Sequence, residues 1–433
     1  MTGVRPRVLA AVPGVFPSTI INVAKPLLRL HEAGAIDLDL SFHFLVRRRQ
    51  IERADVLVMS HTIDPAHVWM LDCARDAGTP VLYDIDENLL EPPDGEPGLA
   101  FHRAPARQAA VRRALSQAAL VRTYAPALAH YLEPFNAHIV RADGPVEWQL
   151  VPATPPQRSS DRVHVVYATS RLQDGIGGVL AQPLRRVLDD HANVDVTIWG
   201  PRFAALEGHP RVRFREFVRD YDRYFAQFAR AGFDIGLAPM PDDLFYQCKT
   251  ATKFREYAAC GIAGIYADTE MYRDCVTDGE TGLLVSQPSA LSPQLSASSP
   301  QPSALCPSDS DPWSTAISRL VQDPALRARI QQRAFAYARE RYAATRIEGD
   351  WLAHIEAAIN ARSSQARIAG VEHSAERPSA VAGLLRYAGR AASLLSTDGL
   401  GAVVTRARAQ LASMRQLVAW ELALRRMPRH DHK

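Results

Sequence analysis

The chain has 433 residues, 47% apolar and 22% charged, enough apolar material for two cores, while a net charge of +3 is small for a nucleic-acid binder of this size. No run of about 18 apolar residues occurs, so no membrane-spanning helix is expected, and the short apolar stretch at the N-terminus fits a buried strand better than a signal peptide. The five cysteines, Cys73, Cys248, Cys260, Cys275 and Cys306, are scattered with no CxxC pair, which argues against a disulfide framework or a zinc site and fits a reducing, cytoplasmic compartment.

Short apolar runs then alternate with helix-like segments. Strands are predicted at 7–12, 38–44, 55–59, 80–84, 119–123 and 137–140, with helices near 20–33, 65–77, 103–117 and 125–133. Residues 141–162 are polar and contain Pro145, Pro152, Pro155 and Pro156, which reads as a connection between domains. The alternation restarts with strands at 163–168, 194–199, 211–216, 233–238, 262–267 and 282–285, and helices at 178–191, 220–231, 249–259 and 313–360 with breaks. The expected architecture is α/β: a domain over 1–150, a linker over 151–162, and a second domain over 163–362, both doubly wound and facing a cleft. Residues 286–312 are Ser/Pro/Gln/Ala-rich, with a near-duplication of QPSALSP as QPSALCP, and are expected to form a surface insertion. The tail, 363–433, carries 11 basic and 5 acidic residues. Within it Val404, Ala407, Leu411, Met414, Val418 and Leu422 recur at helical spacing, with Arg406, Arg408 and Arg415 off that stripe. A helical tail is therefore expected, packed on its own domain or a partner, or touching an anionic membrane surface through 380–433.

No GxGxxG follows the first strand, where the chain reads Val12-Pro13-Gly14-Val15-Phe16-Pro17-Ser18, and no GxxxxGK[ST] occurs, so a nicotinamide enzyme and a P-loop ATPase lose their main support. HExxH, GxSxG and kinase signatures are also missing. The dense signal is 233–285. There a strand ends at Pro239, a helix is expected to start near Lys249, and Gly261 is expected to end it. Lys249, Lys253 and Glu256 would then share one helix face. Two cations, a carboxylate and a helix N-terminus at the carboxyl end of a parallel strand suit a diphosphate and a ribose. Only four of the 50 basic residues are lysines (Lys25, Lys249, Lys253 and Lys433), and two fall here. A solvated Lys–Glu face is the plainer alternative. In the first half, Asp84, Asp86 and Glu87 follow a buried strand and offer three carboxylates to the cleft, as catalytic or acceptor-orienting groups or as caps of the next turn. His61 and His102 could reach the same place.

The block Lys253-Phe254-Arg255-Glu256-Tyr257-Ala258-Ala259-Cys260-Gly261, followed by Asp278-Gly279-Glu280-Thr281-Gly282-Leu283-Leu284-Val285, resembles the donor-binding half of GT-B glycosyltransferases. It is most similar to retaining glycosyltransferase family four, "group 1", in its polysaccharide-type branch. The resemblance covers most of 160–360 and, more loosely, the N-terminal half. It implies a GT-B fold of two Rossmann-like domains and a nucleotide-diphosphate sugar as donor. Glu256 would hold the ribose, with Lys249 and Lys253 near the diphosphate or sugar. Thr169, Ser170 and Arg171 would lie at the phosphates, Gly200 at the end of the next strand, and Phe217 and Val218 at the base. Asp84, Asp86, Glu87 and Lys253 are the residues expected to act in catalysis. The chain departs from the family pattern at Cys248, where a first glutamate is common, and in having no lysine after Arg171.

The expected function is sugar transfer, with retention, to a glycan or lipid-linked glycan in cell-surface polysaccharide synthesis of the O-antigen or capsule kind. No metal, no cofactor beyond the donor and no nucleic acid are expected. The expected location is cytoplasmic, with peripheral association on the inner membrane face. A nucleotide-sugar epimerase and a non-catalytic partner in a polysaccharide-assembly complex are the alternatives.

Overall fold

The computed structural model describes residues 5–365, except 15, 62, 94–98, 155–160, 171–175 and 287–310. Nearly all of the 286–312 insertion and of the 363–433 tail, and Arg171, therefore lie outside the described residues. Among the described residues no helix is long and apolar enough to cross a membrane.

The first sheet contains β1 (Arg7–Val12), β2 (Asp37–Phe42), β3 (Val56–Ser60), β4 (Val81–Asp84), β5 (Leu120–Thr123) and β6 (Ile139–Arg141), in the order β2-β1-β3-β4-β5-β6. The second contains β7 (Val163–Ala168), β8 (Val194–Trp199), β9 (Val212–Arg215), β10 (Ile235–Ala238), β11 (Ala263–Ala267) and β12 (Leu283–Val285), in the order β12-β11-β10-β7-β8-β9. Every pairing is parallel. A parallel sheet is covered on both faces, so its strands read as unbroken apolar runs such as VLVM in β3 and VHVVYA in β7. Each sheet accordingly has two cores, one on each face. Strand order reverses between β1 and β3 in the first domain and between β7 and β10 in the second, and ligands of such folds bind beyond the carboxyl ends at those points.

The helices show three departures from expectation. A short helix at Arg48–Arg53 follows β2; with Ile51 as its one buried residue, it carries no amphipathic signal. The first long helix is wound as a π turn over Ile20–Ala24, between Pro17–Thr19 and Lys25–Glu32. The C-terminal stretch forms three helices, Pro312–Gln322, Pro324–Arg341 and Ala344–Gln365, and the last leaves the second domain. Its Ile347, Trp351, Ile355 and Ala358 are buried against the first sheet with Val8, Val58 and Leu82. Trp351 Nε1 donates to the Asn22 carbonyl, inside the π turn, at 3.0 Å.

The connection after β6 is bound on both sides. Trp148 Nε1 donates to the Tyr342 carbonyl at 3.1 Å. The buried Glu147 carboxylate lies 3.3 Å from both Lys25 Nζ and Arg29 Nη1; burial works against its charge, but the two cations hold its pKa below the usual value. Lys25 also reaches Asp222 at 2.6 Å and Arg29 reaches Glu348 at 2.6 Å, so both domains and the returning helix meet at this network.

Candidate functional site

The first-domain side of the cleft is built on the ends of β3 and β4. His61 follows β3 with φ of 61°, the one positive-φ non-glycine among the described residues. Its N–H donates to the Asp84 carbonyl at 2.7 Å, and its carbonyl accepts from the Tyr83 hydroxyl at 2.7 Å. The ring is thereby fixed between two carboxylates, with Nδ1 2.7 Å from Asp86 Oδ1 and Nε2 3.4 Å from Glu87 Oε1. Burial would lower the imidazole pKa, but Asp86 and Glu87 outweigh it and raise it to about 9, so the ring is a cation at neutral pH. Glu87 is half-buried, and its desolvation disfavours its charge, yet Lys249 and His61 hold its pKa at about 2.

Asp84 points the other way. Its carboxylate accepts from Arg122 Nη1 at 2.7 Å and Tyr124 OH at 2.8 Å, all fully inside the domain. Burial pushes its pKa up to about 6 against the pull of Arg122. The Arg122 guanidinium lies 4.0 Å from the Trp351 ring centroid, so the returning helix braces the base of the cluster. Arg122 was missed in the sequence, although an arginine inside an apolar strand run is itself a signal of a buried partner. His102 is buried beside the exposed Phe101 ring, centroids 4.0 Å apart, and burial lowers its pKa to about 4 despite the nearby Glu87 charge.

The second-domain side does not follow the expected helix. The helix begins at Thr252, not near Lys249. Asp243 caps a separate turn, Leu244–Gln247, by accepting from the Tyr246 N–H at 3.1 Å, and the threonines of Lys249-Thr250-Ala251-Thr252 interrupt helical winding. Thr250 and Thr252 hydroxyls bond each other at 2.8 Å instead. Lys249 therefore shares no helix face with Lys253 and Glu256. It crosses the cleft, and its Nζ donates to Glu87 Oε2 at 2.5 Å. Cys248 crosses with it: its side chain is buried in the first domain's core, and Asn88 Nδ2 lies 3.9 Å from its sulfur.

Lys253 and Glu256 are adjacent on Thr252–Ala259. Lys253 Nζ donates to the buried Glu256 Oε2 at 2.6 Å, and Tyr224 OH, unforeseen from the sequence, lies 3.4 Å from both. No side chain caps the N-terminus of this helix at Ala251, and the Thr252 N–H donates to the Thr250 carbonyl at 2.8 Å. Gly261, with φ of 65°, stands just beyond the helix end, as expected.

Thr169 and Ser170 follow β7 at the strand-order reversal, and Thr169 N–H donates to the Trp199 carbonyl at 3.0 Å. Gly200 has φ of 117°, and a Cβ there would stand 2.2 Å from the Thr169 carbonyl oxygen, so only glycine lets β8 end this close. Phe217 is exposed and Val218 half-buried, in the loop between β9 and the helix Tyr221–Ala229. The Asp278-Gly279-Glu280-Thr281-Gly282 stretch is a turn entering β12: Asp278 Oδ1 accepts from the Leu284 N–H and Thr281 Oγ1 from the Thr277 N–H, each at 2.8 Å. Among the described residues no group of three or more His, Cys, Asp or Glu side chains could hold a metal ion.

No family model matches the chain, and neither does any curated protein. Solved structures do. HepE of Anabaena, in complex with UDP and glucose, is similar with a TM-score of 0.57 at 14% identity, over 81% of this chain and 100% of its own. Sucrose-phosphate synthase from Thermosynechococcus elongatus has a TM-score of 0.57 at 14% identity, over 82% of this chain and 100% of its own. A glycosyltransferase from Rickettsia africae has a TM-score of 0.56 at 10% identity, over 82% of this chain and 99% of its own. The architecture of this chain is GT-B, two Rossmann-like domains around a cleft.

Proposed function

We propose that the chain transfers a sugar from a nucleotide-diphosphate donor to a hydroxyl acceptor. The observation that carries this is the Lys253–Glu256 pair at a helix N-terminus without a side-chain cap, opposite a half-buried histidine–carboxylate cluster. UDP is the first nucleotide to consider, because the HepE complex named above contains it and a companion holds UDP-glucose.

In this reading Glu256 accepts from the ribose hydroxyls, and Lys253 turns from Glu256 toward the diphosphate. Thr169, Ser170 and Arg171 bind phosphate oxygens, while Phe217 and Val218 flank the base. As the glycosidic bond breaks, negative charge grows on the leaving diphosphate. Lys253 and the positive end of the helix dipole offset it electrostatically. The acceptor hydroxyl enters from the first-domain side, near Asp86, Glu87 and the His61 imidazolium. Asp84 acts beneath them, as a brace rather than a reacting group. Lys249 acts as a clasp between the domains, and closure limits donor hydrolysis by excluding water. The reaction proceeds with retention, as in family four, by hydroxyl attack on the face that the diphosphate leaves. The donor and acceptor are the whole chemical requirement. The acceptor is a glycan or lipid-linked glycan of a cell-surface polysaccharide, assembled at the cytoplasmic membrane face with the 380–433 stretch as one contact.

Cys248 favours a second reading. Where the family often carries a glutamate, this chain has a thiol buried in the opposite domain, as a non-catalytic partner could. Calorimetric titration with UDP, GDP, ADP and dTDP separates the two. The enzyme reading expects saturable binding of one nucleotide, weakened roughly tenfold or more in Glu256→Ala by loss of charge-assisted hydrogen bonds. Binding of none of the four would remove the donor site.

A further inference from the structure

Two buried polar atoms meet where the domains join, and neither has a hydrogen-bond partner among the described residues: Arg255 Nη1 and Asn22 Oδ1. Arg255 belongs to the helix Thr252–Ala259, between Lys253 and Glu256, and Asn22 to the first domain's π turn. The two residues are 5% and 3% exposed. The connection after β6 passes between them. A Cβ on Gly144 would overlap the Arg255 guanidinium and stand 2.6 Å from Asn22 Oδ1, so the cation fills space that glycine alone leaves there. Arg255 Nη2 is tied back to its own helix, donating to Thr252 Oγ1 at 3.1 Å. A buried guanidinium N–H and a buried amide oxygen are costly to leave unpaired, and a small shift of one domain on the other pairs them.

A second contact reaches the same first-domain helix. Lys25, just past the π turn, pairs with Asp222 at 2.6 Å. Asp222 lies on the helix Tyr221–Ala229, whose Tyr224 hydroxyl is 3.4 Å from both Lys253 Nζ and Glu256 Oε2. Both second-domain helices around the Lys253–Glu256 pair thus touch one first-domain helix at its π turn, and π turns of this kind concentrate at functional sites. That helix starts from Phe16, whose ring centroid lies 6.4 Å from that of His61. One element therefore runs from the His61 cluster to the helices that carry Lys253 and Tyr224.

We propose that Arg255 is a positioning residue: when a nucleotide occupies the Lys253–Glu256 helix, Arg255 Nη1 donates to Asn22 Oδ1 and fixes the first domain on the second. The inference rests on the nucleotide-donor reading and adds to it a residue that acts without touching the donor. Gly144 is the position that lets the guanidinium through.

The test is a double-mutant cycle on the full chain, read by calorimetric titration with whichever of UDP, GDP, ADP and dTDP wild type binds. The variants are Arg255→Met, Asn22→Ala, the two combined, and Asn22→Asp, each also unfolded in urea without nucleotide. Each single variant is expected to lose about tenfold in affinity, and the combined one to lose no more than either alone. Asn22→Asp keeps the acceptor oxygen and is expected to bind at least as tightly as wild type. Urea midpoints without nucleotide should not fall, because the bond is absent there. Unchanged affinities, or losses that add in the combined variant, would overturn the proposal. So would affinity losses matched by lower urea midpoints, which mark a packing role, and Asn22→Asp binding as poorly as Asn22→Ala. The Asn22 pair decides the matter alone if Arg255→Met does not fold. Wild type binding none of the four nucleotides removes the donor reading and this inference together, whereas wild-type binding with intact variant affinities removes this inference only.

Discussion

His61 occupies a conformation that costs a non-glycine residue about 1–3 kcal/mol, and it is held there by two backbone-directed hydrogen bonds at 2.7 Å. Its ring is a titrating part of the cleft. The folded pKa, about 9, lies above the ordinary 6.5 because Asp86 and Glu87 overcome burial, with Lys249 opposing them. The stabilisation this gives is complete below pH 6.5 and is lost as pH rises toward 9. Urea unfolding across that window should show a fall approaching 1.4 kcal/mol per pH unit, the value for one proton. His61→Gln should flatten it, and an unchanged slope would assign the titration to another group. Glu87 behaves in the opposite sense, giving stability above its ordinary 4.5 that is lost as pH falls toward 2.

At the scale of elements, the returning helix Ala344–Gln365 decides the integrity of the first domain. Trp351 is fully buried, lies over Arg122 and bonds the π turn. Trp351→Ala should cost about 3–5 kcal/mol, from lost burial and an unfilled cavity, measurable as a lower urea midpoint. Proteolysis should then cut first-domain loops before second-domain ones. All twelve strands of the described residues were legible in the sequence: the inner ones as apolar runs, and edge strands such as DLDLSF in β2 and VRFR in β9 by alternation. The helix that carries Lys253 and Glu256 was legible in kind but not at its start, since a few threonines decide where winding begins. Which sheet residues 344–361 cover was not legible: the spacing of Ile347, Trp351, Ile355 and Ala358 marks a buried face without naming its partner. Asp84 read as a cleft carboxylate because the sequence does not tell which side of the strand end carries Arg122.

At the scale of the whole molecule, the cleft is closed by Lys249 on Glu87 and by Cys248 seated in the opposite core. Cys248→Glu should therefore not restore a family-like site. It would force a carboxylate into an apolar core or part the domains, and the second outcome is expected. Small-angle scattering should show a larger radius of gyration than wild type; an unchanged radius together with tighter nucleotide binding would mean that the glutamate reaches the cleft. The chain passes from the first domain to the second after β6 and returns at Ala344. This route sets an order of synthesis. β6 ends at Arg141, and the tryptophan that seals one face of its sheet is Trp351. At about 5–20 residues per second, a ribosome needs roughly 10–40 s to cover that distance. During that interval the nascent first half offers an open apolar groove, and the second domain emerges beside it before the groove can be filled.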